Sequence, residues 1–424
     1  MTYLQAGRAV SRVLFRGSPS SQIYFRSLIY GLSILPFHRN VNPWGIVVLN
    51  ALVTSFILWL VVRSLLPRHT ISHYFALLLP LSACTSLGWL VSWIMPDILG
   101  PLLYLSIYLL VFAYEDLSRA EFVAVILIAW WGAASHITHL VLGMGLCILL
   151  IAVLALQRQL RRHALSAIGG VSLLIVTVAI AVMAINAAYY GQPSLDGKGP
   201  PFLMARVIAD GPGRWYLQKE CGRLQLSICA HVHDLPDNVV DFLWLGPSAW
   251  NTFSLSEQER LWVEEMPFVV GVLREYRWQQ LMISARNFWQ QARTFDLYVE
   301  RNPFILQDIE KELPGARSRY LQTRQAQARL HEHLFDSVQD GTVIVSLILI
   351  AIGMIKLRER LSPRLGGLTA IILFVVIANA AITGPLSGVT SRYQERVIWL
   401  LPLLAGIFVL TWLDRRSPAL RQPI

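Results

Sequence analysis

Nine long apolar runs constrain the fold of this chain more than any other feature of its sequence. They are found near residues 45–62, 74–95, 97–114, 120–134, 137–156, 167–188, 342–356, 367–384 and 396–413. Roughly 17–25 apolar residues in a helix are enough to cross a hydrocarbon core about 30 Å thick. The chain is also 55% hydrophobic and only 15% charged, which is typical of membrane proteins. The sequence therefore predicts an all-α polytopic membrane protein with about nine transmembrane helices.

A polar interruption separates two of these runs. As a single helix, residues 120–156 would reach roughly 55 Å, which exceeds the thickness of a bilayer core. Ser135, His136, Thr138 and His139 interrupt the apolar pattern. We therefore place a helix break at 135–139.

Basic residues mark every second boundary between the runs. They include Arg63, Arg119, Arg158, Lys356 and Arg415. Because cytoplasmic loops are enriched in Lys and Arg, this alternation places these turns in the cytoplasm. The opposite turns, including the long loop 189–341, then face the periplasm of a bacterial inner membrane.

This topology divides the chain into four segments. They are an extracytoplasmic N-terminal segment 1–44, transmembrane helices 1–6 within 45–188, an extracytoplasmic loop domain 189–341, and transmembrane helices 7–9 with a cytoplasmic tail in 342–424. Segment 1–44 carries five arginines and has no apolar run before it. Either this segment is a short translocated tail or the chain lacks a first transmembrane helix, and we favour the second because arginines oppose export of a short tail.

The loop domain contains two kinds of sequence. Its first part, up to Gly213, is rich in Gly and Pro and is expected to be irregular. From Trp278 to Ala292, apolar residues recur every three or four positions. This spacing predicts an amphipathic helix, which lies either at the membrane interface or against the rest of the loop domain. A second, polar helix is expected at 315–338.

Two cysteines of the loop lie close together in the sequence. Seven residues separate Cys221 from Cys229. In an oxidising compartment we expect them to form a disulfide, with two free thiols as the alternative. On the chain-entropy model such a small ring stabilises the fold by roughly 2–3 kcal/mol.

The net charge of +10 indicates anionic partners. The basic residues are scattered over membrane-flanking turns and the loop instead of forming one stripe. We therefore expect anionic lipid headgroups or a phosphate-bearing substrate as partners, and no nucleic acid.

Asp97 is the first acidic residue of the chain and lies at an outer helix junction. A carboxylate at this position suits a general base or a ligand of a divalent cation, which is the one cofactor that we consider. The alternative is that Asp97 caps the following helix.

Arg392 and Arg396 lie at the outer end of the last apolar run. Four residues apart, they share one helical face and can bind a phosphate or pyrophosphate with both guanidinium groups. The alternative is a pair of interfacial arginines bound to lipid headgroups.

Three further candidates carry less specific patterns. Asp210 begins a tight turn with two aromatic residues behind it, which suits a sugar site or an ordinary turn. His136 and His139 stand three residues apart, but a metal site needs a third ligand, so hydrogen-bonded structural histidines are favoured. The group Cys229, His231 and His233 is not expected to bind metal, because Cys229 has a disulfide partner.

The chain resembles the C-type glycosyltransferases (GT-C), which are polytopic enzymes that use polyprenyl-phosphate sugars outside the cytoplasmic membrane. The likeness covers most of the chain. It is carried by the topology, by the segment from Arg26 to His38, by Pro96-Asp97, by Ser135-His136, and by Arg392-Tyr393-Gln394. The family carries an acidic residue after its first helix. Residues 1–96 contain no Asp or Glu, which agrees with a chain that lacks that helix.

This resemblance implies transfer of a sugar from a polyprenyl phosphate to a cell-envelope glycan or lipid, with inversion at the anomeric carbon. Arg392 and Arg396 then stabilise the departing phosphate, and Asp97 serves the acceptor or a metal ion. Asp210 is a second catalytic candidate, while His136, His139 and Tyr393 are further candidates. An O-antigen polymerase or ligase and a non-catalytic membrane assembly subunit are the rival interpretations.

Overall fold

A computed structural model of the chain describes residues 2–17, 26–66, 71–156, 162–197, 199–244, 249–299, 305–313, 315–358 and 361–416. These residues form helices with short connections, and none of them belongs to a β-strand. The helices of the first half are α1 Thr2–Arg16, α2 Leu28–His38, α3 Trp44–Leu65, α4 Ile71–Cys84, α5 Leu87–Ser92, α6 Leu99–Phe112, α7 Arg119–Ala134, α8 Ile137–Leu156 and α9 Arg162–Tyr190.

The second half begins with the loop domain and returns to long apolar helices. Its helices are α10 Phe202–Asp210, α11 Pro212–Glu220, α12 Val239–Leu243, α13 Ala249–Thr252, α14 Leu255–Glu275, α15 Arg277–Arg293, α16 Ile305–Glu312, α17 Arg317–Leu321, α18 Glu332–Leu357, α19 Pro363–Leu386, α20 Ser391–Ile398 and α21 Leu400–Arg416. Short 3₁₀ turns lie at Pro96–Ile98, Tyr114–Asp116 and Ser227–His231.

Six described segments are long and apolar enough to cross a membrane, and they make the chain a multi-pass membrane protein. These segments are Trp44–Leu65, Ile137–Ala155, Ala164–Tyr190, Glu332–Leu357, Pro363–Leu386 and Ser391–Asp414. Shorter apolar helices occupy Leu28–His38, Ile71–Cys84 and Pro96–Phe112.

α6 lies at the centre of the helical bundle. Every residue from Leu99 to Val111 is buried, and α3, α7, α9 and α19 pack around the helix. A helix that is apolar on all sides is either surrounded by protein or exposed to lipid, and α6 is surrounded by protein. The turn Pro96–Ile98 at its N-terminus is therefore held inside the bundle as well.

The apolar run 74–95 forms two helices instead of one. α4 ends at Cys84 and α5 begins at Leu87. Between them, the backbone N–H of Ser86 donates to the side-chain oxygen of Gln339, 2.6 Å away on α18. The Gln339 side chain takes the place of the backbone carbonyl that would accept this bond in a continuous helix. The buried N–H of Ser86 therefore stays paired although the helix is interrupted.

The predicted helix break in 120–156 lies at the polar residues Ser135 and His136. α7 ends at Ala134 and α8 begins at Ile137. His139 is fully buried in the first turn of α8, and its Nδ1 atom lies 3.0 Å from the carbonyl oxygen of Gly132.

The N-terminal segment contains two helices that the sequence did not predict. α1 and α2 cross at Gly7 and Gly31, where a Cβ atom built on Gly31 would lie 2.8 Å from the backbone nitrogen of Gly7. The absence of both side chains lets the two backbones touch. Arg8 of α1 also forms an ion pair with the buried Glu312 of α16.

The loop domain has an apolar core of its own, built around Phe242 and Phe268. Its first part is not irregular throughout, because α10 and α11 occupy most of 202–220. Gly211 separates these two helices with φ of 107°, a conformation that strains other residues. Cys221 and Cys229 are disulfide-bonded in the structure, with Cα atoms 5.5 Å apart.

The expected continuous polar helix at 315–338 was wrong, because only half of this range is helical. Only α17 and the first turns of α18 are helical there, and turns connect residues 322 to 331. This connection offers few apolar side chains to pack, so nothing offsets the entropy of helix formation.

We predict that Gly31→Ala destabilises the protein by about 1–3 kcal/mol, because the added methyl group collides with the backbone of α1. Gly170→Ala in α9 is the matched control, since a Cβ atom there has nothing within 4 Å. We expect the control to change the free energy of unfolding by less than about 1 kcal/mol. Unfolding in mixed detergent micelles, followed by circular dichroism, measures both variants. Equal stability of the two variants contradicts the close α1–α2 contact.

Candidate functional site

The site is built on an ion pair between two residues that lie far apart in the sequence. Asp97, in the 3₁₀ turn before α6, accepts two hydrogen bonds from Arg392 in the first turn of α20. The distances are 2.8 Å from Nη2 to Oδ2 and 3.3 Å from Nε to Oδ1. Such a fork fixes the guanidinium plane as well as its position. The charge pair is buried, with side-chain exposures of 2% for Asp97 and 11% for Arg392.

This pairing differs from both alternative uses of these residues, as a helix cap and as lipid-facing arginines. The N-terminus of α6 has no side-chain cap, so Asp97 is not used as a capping residue. Arg396 is 1% exposed and has its Nη1 atom 3.9 Å from Asp97. Both arginines therefore point into the bundle and not toward lipid headgroups.

A network of amides holds Arg396 in place. Asn379 of α19 accepts from Nε and Nη2 of Arg396 at 3.0 and 2.6 Å. The amide group of Asn379 in turn donates to the carbonyl oxygen of Tyr393 and to Gln394, at 2.7 and 3.0 Å. Gln394 donates to the carbonyl of Val376 at 3.0 Å. Because each buried amide is paired, α20 is fastened rigidly to α19.

The two histidines of the helix break lie beside this pair. The charges of Arg396 and Asp97 act on both imidazole rings, whose centroids are 5.3 Å apart. Nδ1 of His139 faces the carbonyl oxygen of Gly132, which can only accept, so this nitrogen carries the proton. Nε2 of His139 then keeps its lone pair. No group of three or more potential ligands in the described ranges suits a metal ion.

Three tyrosines complete the site. The phenol of Tyr30 in α2 lies near Asp97, that of Tyr104 in α6 near Arg396, and that of Tyr3 in α1 near Arg392. All three hydroxyl groups are buried and have no hydrogen-bond partner within the described part of the chain. The same holds for Nη1 of Arg396 and Nε2 of His139. A buried polar atom without a hydrogen-bond partner lowers the stability of a protein, so five such atoms in one place point to a polar ligand.

The loop domain approaches this cluster through an aromatic contact. The guanidinium carbon of Arg26 lies 5.5 Å from the ring centre of Tyr3 and 5.4 Å from that of Trp244. Arg26 thus bridges α1 and the loop domain. Aromatic faces and guanidinium groups are also suited to contact with sugar rings and phosphates.

Glu395 lies between the two arginines in the sequence but points elsewhere. Its Oε2 atom accepts from the backbone N–H of Tyr298 at 3.0 Å, and the residue is fully buried. Within the triad of Asp97, Arg392 and Arg396, two positive charges therefore face one negative charge. The triad retains one positive charge for a ligand.

Asp210 lies apart from this cluster. Its Oδ1 atom accepts from Arg206 and from Asn287, and its Oδ2 atom accepts from Gln280 at 2.7 Å. Asp210 thereby joins α10 to α15 and its carboxylate is fully paired. Tyr393 lies closer, since its ring is 5.6 Å from the guanidinium of Arg396 and its hydroxyl bonds to Ser387 at 2.9 Å.

Sequence reasoning missed Tyr104 and Asn379 as parts of the site. Both lie inside apolar runs, where a polar side chain needs a partner or a role. That signal was present for Asn379, while a tyrosine in an apolar helix is too common to attract notice. Tyr30 was recognised only as part of the segment from Arg26 to His38.

No family model, no curated protein and no solved structure matches this chain. Its own geometry is therefore the basis for the functional assignment.

We predict that Asp97→Ala destabilises the protein by about 3–5 kcal/mol, because it leaves the buried Arg392 charge unpaired. The double variant Asp97→Ala/Arg392→Met removes both charges and should recover most of that loss. Glu310→Ala is the control, since its ion pair with Arg317 is exposed and is worth no more than about 1 kcal/mol. Unfolding in mixed micelles measures all three variants. A double variant less stable than the single one excludes a simple ion pair.

Proposed function

We propose that this chain is a membrane glycosyltransferase that uses a polyprenyl-phosphate sugar on the extracytoplasmic face of the membrane. The observation that carries the proposal is the convergence of Arg392 and Arg396 with three unpaired tyrosine hydroxyls inside an apolar bundle. Such a set supplies many hydrogen-bond donors and one excess positive charge. A phosphate group attached to a long lipid fits both properties, because its oxygens accept and its chain partitions into the bilayer.

The arrangement suggests how a donor would engage the site. The donor phosphate competes with Asp97 for the planar fork of Arg392, while Nη1 of Arg396 and the hydroxyl of Tyr104 complete its coordination. Displacement from Arg392 frees the carboxylate of Asp97. The same binding event thereby prepares the leaving group and the base.

The chemical step is a single displacement. An acceptor hydroxyl attacks the anomeric carbon and forms the new C–O bond. The bond from that carbon to the phosphate oxygen breaks, and its electron pair leaves with the lipid phosphate, whose charge the arginines stabilise. Asp97 accepts the proton of the hydroxyl as general base.

The proposal includes the finer topology of the chain. We propose that the shorter helices α4–α5, α6 and α7 also cross the membrane, which with the six long segments gives nine crossings. Basic turns at Arg63, Arg119 and Lys356 then face the cytoplasm of a bacterial inner membrane. The 189–341 domain lies outside, above the site.

We predict that Arg392→Ala lowers transfer from a polyprenyl-phosphate sugar by about 10- to 150-fold, because a charge-assisted bond worth roughly 1.5–3 kcal/mol is lost. Arg392→Lys should restore transfer only in part, since it keeps the charge without the planar fork. Initial rates of the purified chain in proteoliposomes measure both effects. Arg274→Ala, an exposed arginine of α14, is the matched control and should leave the rate unchanged.

A fold defect can imitate this loss, because Arg392→Ala leaves Asp97 unpaired. The rates are therefore interpreted only for variants that remain folded under the conditions of the assay, and Arg396→Gln provides a second variant whose amide keeps a bond to Asn379. Wild-type rates for folded arginine variants would remove these residues from the mechanism. No transfer by the wild-type chain with any donor of a panel would favour a non-catalytic assembly subunit.

We predict that a cysteine at Ser256 reacts with a membrane-impermeant maleimide added to intact cells, and that a cysteine at Arg358 does not. Both positions are exposed, so accessibility to the reagent decides the result. The background carries Cys84→Ser and Cys147→Ala, and permeabilised cells give the reference labelling. Reaction at 358 without reaction at 256 would reverse the orientation.

A further inference from the structure

α15 buries one polar face and exposes large apolar side chains on the opposite side. Gln280, Asn287 and Gln291 are almost completely inaccessible and lie on one face of the helix. On the opposite side, Met282 is 71% exposed, Trp278 is 67% exposed and Trp289 is 57% exposed. In water this arrangement is unfavourable, since exposing several large apolar side chains to solvent costs free energy.

The buried polar face has specific partners. Gln280 and Asn287 donate to Asp210 of α10 at 2.7 and 3.0 Å. Gln291 accepts from the backbone N–H of Thr390 and donates to its carbonyl, both at 2.9 Å. These bonds hold the orientation of α15, so the apolar side chains cannot turn inward without breaking them.

The exposed side is divided lengthwise into two arcs. At about 100° per residue, one arc is apolar and contains Trp278, Leu281, Met282, Ala285 and Trp289. The neighbouring arc is polar and contains Gln279, Arg286, Gln290 and Arg293. A helix of this kind matches a boundary between acyl chains and headgroups.

Charge on α15 is of one sign. The helix contains Arg277, Arg286 and Arg293 and no acidic residue. The guanidinium of Arg293 lies 4.8 Å from the ring centre of Trp289, and that of Arg277 lies 6.0 Å from the ring centre of Trp278. Paired Arg and Trp side chains are typical of the interfacial layer, where a flat ring and a cation both find favourable surroundings.

The neighbour of α15 places it at the membrane. α15 packs along α19, which belongs to the segments able to cross a bilayer. The contact is close, since a Cβ atom on Gly384 would lie 2.6 Å from the carbonyl oxygen of Asn287. A helix fastened to the end of a membrane-spanning helix meets the lipid that surrounds that helix.

We propose that α15 is embedded in the headgroup layer of the bilayer, with its apolar arc on the acyl chains and its three arginines on anionic phospholipid headgroups. The lipid surface covers the face that the protein leaves exposed. The proposal does not depend on catalysis, so it stands or falls separately from the glycosyltransferase assignment.

Single nitroxide labels on the full chain in lipid nanodiscs test the position of α15. In the background Cys84→Ser/Cys147→Ala, labels are attached at Met282→Cys, Gln290→Cys and, as a control on α14, Ser256→Cys. We expect the label at 282 to relax readily with oxygen and poorly with a water-soluble nickel chelate. The label at 290 should be intermediate, and the label at 256 should respond mainly to nickel. Trp289→Cys gives a second apolar reading if the 282 variant does not fold.

Two results would overturn the proposal. If the label at 282 is as accessible to the nickel chelate as the label at 256, the apolar arc lies in water. A label at 282 that is immobile and inaccessible to both reagents shows that another protein surface covers it.

To measure the headgroup preference of α15, the protein is purified from membranes of mixed phosphatidylglycerol and phosphatidylcholine, and the lipids that remain bound to it are quantified. The variant Arg277→Gln/Arg286→Gln/Arg293→Gln should lower the retained ratio of phosphatidylglycerol to phosphatidylcholine at least about 5-fold, since one arginine near an anionic surface contributes roughly that factor. The control Arg223→Gln/Arg260→Gln/Arg319→Gln removes the same charge from exposed positions elsewhere and should leave the ratio unchanged. An equal fall in both variants contradicts specific binding by α15.

Discussion

The ion pair between Asp97 and Arg392 is the interaction on which the centre of the structure depends. It joins residues 295 positions apart and lies inside an apolar bundle. Separating two such charges would leave each unpaired in a medium of low dielectric constant, at a cost of several kcal/mol. The 3₁₀ turn before α6 and the first turn of α20 are therefore held together, and the tyrosines and histidines lie around them.

Retaining a charge pair inside a membrane protein needs a reason beyond stability, because a well-packed apolar pair of similar volume would stabilise as well. The reason that we propose is function. The Nη1 atom of Arg396 and three tyrosine hydroxyls near the triad have no hydrogen-bond partner among the described residues. A phosphate that enters this site would satisfy those donors and would exchange places with the carboxylate on Arg392.

The bilayer and the site are connected through few residues. Gln291 of α15 pairs with both backbone groups of Thr390, which immediately precedes α20. α20 carries Arg392 and Arg396, and Asn379 fastens it to α19. If lipid holds α15 in the headgroup layer, the depth of that helix sets where α20 begins. The position of the arginines relative to the lipid surface then follows from hydrogen bonds and packing.

The sequence by itself determined the membrane class, the places of the long helices, the helix break at His136 and the amphipathic character of 278–292, because hydrophobic period and run length depend on local composition. Asp97 and Arg392 could be chosen as unusual charges in apolar surroundings, but their partnership could not, since no local pattern encodes a contact across 295 residues. Only the tertiary structure showed that Asp97 pairs instead of capping, that Asp210 is a fully bonded link between α10 and α15, and that the face of α15 with Gln280, Asn287 and Gln291 is the buried one. These outcomes depend on which helices become neighbours, and packing of the whole bundle decides that.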